Sequence, residues 1–156
     1  MPSRRELIAM SSEEVSAYLA SQQRLIVVSN GPTGFPHPMP MNFGIDEAGR
    51  LVILTFAKSQ KVRNLERDPR AALLVESGAS YHELKSVMIY ATAEVIPQGN
   101  EFERCRAAFA RTTQTVAGRS SAIKPQVDAT MAKRVAIRFT PERTISWDHA
   151  KLGEKY

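Results

Sequence analysis

The chain has one cysteine, Cys105. An internal disulfide is therefore excluded, and no cysteine cluster exists to hold zinc. Cytoplasmic residence is the expectation that follows from this cysteine usage. Cys105 falls in a helical pattern and is expected to be a packed side chain. No apolar run is long enough to span a bilayer, and residues 1–6 lack the apolar region of a signal peptide. Aromatic residues make up only 7% of the chain. The net charge of +5 admits nucleic acid, a membrane surface or a small anionic ligand as partner. However, the basic residues are interleaved with acids and form no block. A nucleic-acid surface would show a basic stripe with stacking aromatics, so that class is set aside, and a membrane is not expected either.

The familiar catalytic sets are missing too. The histidines, His37, His82 and His149, stand apart without metal-ligand spacing. There is no GxSxG elbow, no Walker loop and no GxGxxG. No side chain is therefore assigned a catalytic role and no metal is expected. His82 beside Tyr81, and His149 beside Trp147 and Asp148, could border a pocket. An enzyme without acid–base machinery of its own is most easily one whose cofactor performs the chemistry.

What is present is organised around residues 51–70. Leu51 to Phe56 reads as an aliphatic strand. A short helix is expected from about Gln60 to Glu66, with Val62 and Leu65 on one face and charges elsewhere. Asp68-Pro69 stops it, since proline disfavours helical geometry in the residue before it. Ser59 is placed to cap the helix with its hydroxyl. The first amides of a helix are unpaired and carry partial positive charge. Lys58 and Lys61 bracket that point, and Thr55 and Ser59 add hydroxyls. Together they would suit a phosphate; the alternative is a solvated basic turn before a surface helix.

The rest of the chain reads as one domain over 1–156, with residues 1–10 a flexible N-terminus. A helix is expected from Ser11 to about Ala20, with Val15, Tyr18 and Leu19 as its stripe. Arg24 to Ser29 reads as a buried strand. Phe35 to Ile45 carries three prolines and should be an edge or interrupted strand, with Asp46 to Gly49 turning it into the 51–56 strand. Met39, Met41 and Asn42 on it could face a flat ligand, or the methionines could fill core. Strands are expected over Arg70–Glu76, Lys85–Ile96 and Arg134–Thr140, and a last short one over Thr144–Trp147 after a turn at Pro141 to Arg143. A helix is expected over about 101–116, a polar loop over 118–125 and a short helix over 127–132. Six or seven strands with short turns and a few helices argue for a mainly β fold, a small β-barrel with attached helices.

The pattern Thr55-x-x-x-Ser59-x-Lys61, followed by Asn64-Leu65 and Asp68-Pro69-Arg70, resembles the strand-to-helix phosphate site of the pyridoxamine 5′-phosphate oxidase-like, flavin- and deazaflavin-binding split-barrel family. Likeness to that family runs from Ser11 to Gly153. Where the oxidases commonly carry Ser-Arg-Lys, this chain has Ser59-Gln60-Lys61, with Lys58 nearby. Its closing segment, Ser146 to Gly153, departs from theirs. Residues 57–61 together with 146–149 are similar instead to the branch that uses the deazaflavin F420.

The resemblance implies a split β-barrel and a reductase of small enone-like molecules, with F420 as cofactor or FMN as the alternative. It also implies a homodimer with cofactors at the subunit interface. Met39, Met41, Asn42, Thr55, Lys58, Ser59, Gln60, Lys61, Lys85, Ser86 and Trp147 are the cofactor-binding residues it implies. Lys58, Arg63 and Lys85 would favour the glutamate tail of F420. A non-enzymatic flavin-, deazaflavin- or haem-binding protein is the third reading.

Overall fold

A computed structural model describes residues 1–117 and 130–153, with side chains described up to 112 in the first segment. Seven strands follow the turn punctuation closely: β1 Arg24–Asn30, β2 Pro36–Asn42, β3 Gly44–Ile45, β4 Leu51–Phe56, β5 Arg70–Ser77, β6 Lys85–Ile96 and β7 Arg134–Asp148. Among the described residues the helices that accompany them are α1 Arg4–Ile8, α2 Ser12–Ser21, α3 Gln60–Arg67 and α4 Asn100–Ala117. Short 3-10 turns cover Tyr81–Glu83 and His149–Leu152. No described helix is long and apolar enough to cross a membrane.

All strands join one sheet in the order β2-β1-β5-β6-β7-β4-β3. The first and last strands of that order are consecutive in the chain, with only Phe43 between them. The sheet must therefore curl until its two edges approach, giving a mainly β half-barrel with attached helices. Phe43 sits at this seam fully buried, and its amide donates to the Gln23 carbonyl at 3.1 Å. Inside the curl, Leu25, Val27, Ile53, Leu73, Ile89 and Phe139 form the main core. A second, smaller core lies outside β4 and β7, where Phe102, Cys105 and Ala108 of α4 cover Val52, Leu54 and Ala136. Cys105 is thus a packed side chain, 2% exposed. Helix α4 reaches β3 at backbone distance: a methyl group on Gly44 would stand 2.4 Å from Cα of Phe109.

The proline-rich strand is an edge strand, as its composition requires. Its prolines, at alternate positions 36, 38 and 40, all face solvent. Having no N–H, they leave the ladder with β1 to His37, Met39 and Met41, which lie opposite Ser29, Val27 and Leu25. The strand does not fold back along β4, however. Only Gly44 and Ile45, just before the 46–49 turn, pair with β4.

Two other expectations change. β1 is not buried on both faces; its pattern alternates, with Leu25, Val27 and Ser29 buried and Ile26 and Val28 half-buried. Pro141 to Arg143 is not a turn between two strands. β7 runs unbroken through it, and a register shift at Tyr90/Ala91 absorbs the extra residue, so that Tyr90 faces Arg143 and Ala91 faces Pro141. β4 pairs with β7 only as far as Phe139, so the missing N–H of Pro141 interrupts no second ladder. The loop over 118–125 and most of the helix over 127–132 lie outside the described residues.

Candidate functional site

Helix α3 starts where the aliphatic β4 reaches the end of the barrel and the chain turns through Ala57 and Lys58. Ser59 occupies the N-cap position with extended backbone (φ −70°, ψ 154°). Its side chain makes no cap hydrogen bond, contrary to the expectation from sequence. Oγ is buried with no partner at all. The first turn of α3 also carries no acidic residue, whereas α2 closes its start with a Ser11–Glu14 capping box. The α3 amides are therefore left without the side-chain acceptor that normally satisfies them.

Lys61 extends this polarity inward. It is only 6% exposed, and its Nζ donates to Thr55 Oγ1 at 2.8 Å. Thr55 is itself buried. Among the described residues no carboxylate lies within ion-pair distance of Lys61. Burial, with the positive Arg134 second, holds the Lys61 ammonium below its ordinary value. A buried cation with one neutral partner is costly. A phosphate would supply the missing counter-charge and accept from the Ser59 hydroxyl and the helix amides together.

The helix is fixed from beneath by a second polar pair. Asn64 is fully buried, and its amide donates to Ser29 Oγ on β1 at 3.0 Å. Its oxygen accepts from Gln60 at 2.8 Å and from Arg67 at 3.3 Å. Lys61 and Asn64 thus share the buried side of α3 with Val62 and Leu65, a wider inward face than the apolar pair alone suggested. At the far end, Asp68 accepts from Arg70 through Nε at 2.9 Å and Nη2 at 2.8 Å and from Asn30 at 2.9 Å. The Arg70 guanidinium first, then Asn30, holds the Asp68 carboxyl well below the usual carboxylate range.

Proline strand and helix do meet, but across β1 rather than through the hairpin. A cavity of about 300 Å³ lies between the Gly31–Pro38 stretch and the Gln60 and Asn64 side chains. His37 borders it with Nδ1 buried and unpartnered. Met39 and Met41 pack against the main core, and Asn42 is exposed.

Thr55, Ser59, Gln60 and Lys61 are therefore brought together, whereas Lys58 lines a separate groove with Phe56 and Arg134. Lys85, Ser86 and Trp147 form a separate group on β6 and β7. Trp147 lies opposite Ser86 and Asp148 opposite Lys85. Lys85 Nζ pairs with Asp148 at 3.0 Å and stands 5.3 Å from the Tyr18 ring centroid. His149 and His82 both contact the Tyr81 ring, at 4.5 and 5.8 Å, and no described cluster could hold a metal. Ser29 at the site and Arg134 beside it carried no mark in the sequence, and His37 was read only as an isolated histidine. Asn64 belongs to the sequence pattern that carries the family resemblance, three residues after Lys61 and next to Leu65 on the apolar side.

Comparison with known proteins gives this geometry a family. Residues 11–148 match pyridoxamine 5′-phosphate oxidase. The chain belongs to that family. It is similar, at 34% identity and a TM-score of 0.83, to a conserved hypothetical protein of Mycobacterium tuberculosis, covering 99% of this chain and 95% of the other. It is 29% identical over 92 residues to the 5a,11a-dehydrotetracycline/5a,11a-dehydrooxytetracycline reductase of Streptomyces rimosus, a match spanning 56% of this chain and only 65% of that enzyme. A solved F420 reductase shares the fold, with a TM-score of 0.62 at 19% identity over 83% of this chain and 94% of that one. The half-barrel described above is thus the split barrel of the pyridoxamine 5′-phosphate oxidase family.

Proposed function

We propose that this split-barrel protein is an oxidoreductase that uses the deazaflavin F420 to reduce a small, electron-poor, enone-like substrate. The observation that carries the reading is Lys61, a buried cation without a carboxylate, beside the unpartnered Ser59 hydroxyl at an acid-free helix start. Family membership supports it, as do the reductase name of one relative and the F420 reductase name of one fold neighbour. The residues fit the phosphate of such a cofactor. Ser59, Lys61 and the first α3 amides would hold it, with Thr55 fixing the Lys61 ammonium. When bound, a reduced deazaflavin supplies a hydride, which leaves it oxidised and the substrate carbon reduced. The chain's own residues bind, orient and exclude water; the balancing proton comes from solvent or a neighbouring side chain.

The same reading includes a homodimer. Ile26, Leu74, Met88 and Ile145 stand side by side across four strands on the outer face of the sheet. All are half-buried, and the row adjoins Ser86 and Trp147. A second copy on this face would cover the apolar row and bring Lys85, Ser86 and Trp147 of one subunit toward the phosphate site of the other. Anaerobic incubation with reduced F420 and a panel of cyclic enones tests the activity. Substrate-dependent reoxidation of F420 is the expected result. Reoxidation with reduced FMN but not with reduced F420 would move the protein to the FMN class.

A further inference from the structure

A groove of about 760 Å³ runs along the opposite side of the β4–α3 turn, between Phe56, Ala57 and Lys58 on one wall and Pro97, Gln98 and residues 132–135 on the other. Among the described residues its charges are of one sign: Lys58, Lys133 and Arg134 line it, with no described carboxylate among them. None of the three pairs with a described carboxylate. Phe56 is 46% exposed, a large apolar surface left open beside the cations. Arg134 is held in place rather than free. Its guanidinium lies 4.4 Å from the Phe56 ring centroid and donates through Nη1 to the Leu54 carbonyl at 3.1 Å. Its Nε is buried without a partner. Gln98 ties the opposite wall by donating to the carbonyls of Met131 and Arg134 at 3.0 and 2.8 Å.

An aromatic floor with a cationic rim selects for both halves of an amphiphile. The apolar body covers Phe56, Pro97 and Val135, and the anionic head meets Lys133 and Arg134, where low local dielectric strengthens the attraction. We propose that this groove is a second binding site, distinct from the phosphate site at α3, for an organic anion with a flat apolar body. The site stands whether or not the α3 pocket takes F420.

The probe is 1-anilinonaphthalene-8-sulfonate, titrated into the full chain by fluorescence, with the uncharged N-phenyl-1-naphthylamine as control and amide NMR shifts to locate it. One saturable site is expected, with shifts at Phe56, Lys133 and Val135. The sulfonate should bind about fivefold or more tightly than the uncharged control, and Lys133→Glu and Arg134→Gln should each weaken it by a similar factor. Saturating FMN or inorganic phosphate should leave it bound. Lys133 is exposed, so its variant folds even if the Arg134 variant does not. The proposal is overturned if no saturable binding is found, if the uncharged control binds equally well, or if Lys133→Glu binds as the parent does. Displacement of the probe by phosphate would equally overturn it, placing the probe at α3 instead.

Discussion

Lys61 and Ser59 answer differently to substitution if they serve a ligand rather than the fold. A serine that caps a helix through its side chain contributes about 1 kcal/mol. Ser59 makes no such bond, so Ser59→Ala should change the urea midpoint of the ligand-free chain very little while weakening binding of a phosphate-bearing cofactor. Lys61→Met keeps the stem of the side chain and removes a buried charge. Thermal stability of the ligand-free chain should hold or rise, and cofactor affinity should fall roughly tenfold or more, the range of one charge-assisted hydrogen bond. The pH dependence has a definite sign. The folded-state pKa of Lys61 lies below its unfolded value near 10.5, so between the two the unfolded chain binds more protons. Lys61 thus makes the ligand-free protein gain stability as pH rises through that window. A bound phosphate favours the protonated amine and cancels that gain. Cofactor affinity should therefore decline as pH rises above the depressed pKa, and the decline should vanish in Lys61→Met.

At the scale of elements, α3 depends on Asn64 as much as on its apolar residues. Asn64→Ala removes three hydrogen bonds and takes from the buried Ser29 Oγ the donor it has in Asn64. A loss of about 2–3 kcal/mol in urea unfolding is expected, larger than for an exposed residue of the same helix such as Arg63. Gly44→Ala should be comparably damaging, because the new methyl meets α4 backbone rather than a yielding side chain.

Local signals made much of this level legible. Pro69 ended α3 where expected, and the alternation of Val87, Ile89, Ala91 and Ala93 gave the bounds of β6. Pro141 misled, because proline reads as a turn unless the partner strand is known to accept a bulge. The proline strand was recognisable as an edge, yet its partner was not, since pairing with β1 is a property of the closed sheet. At the site, the Thr55, Ser59 and Lys61 spacing was readable because one strand–turn–helix carries all three. Ser29 reaches it from a strand remote in sequence, as does the neighbouring charge of Arg134.

At the scale of the whole molecule, one sheet face remains half-open in a single chain, and the outward row from Ile26 to Ile145 gives the proposed dimer a specific test. Leu74→Arg and Met88→Arg place a charge in the middle of that row without touching the inner core. Both variants should sediment as monomers at concentrations where the parent sediments as a dimer. They should also bind cofactor more weakly, since Lys85 and Trp147 would no longer face a neighbouring site. On the proposed reading, cofactor selectivity would also belong to the assembled molecule, because the α3 junction suits any phosphate and the surrounding walls must discriminate.

The most direct test of the account is a calorimetric titration of the parent chain and of Lys61→Met with F420 and, separately, with FMN. Saturable F420 binding, tighter than FMN and weakened roughly tenfold or more in the variant, is the predicted result. Equal affinity in parent and variant, or no binding of either cofactor, would contradict the assignment of the phosphate site to the start of α3.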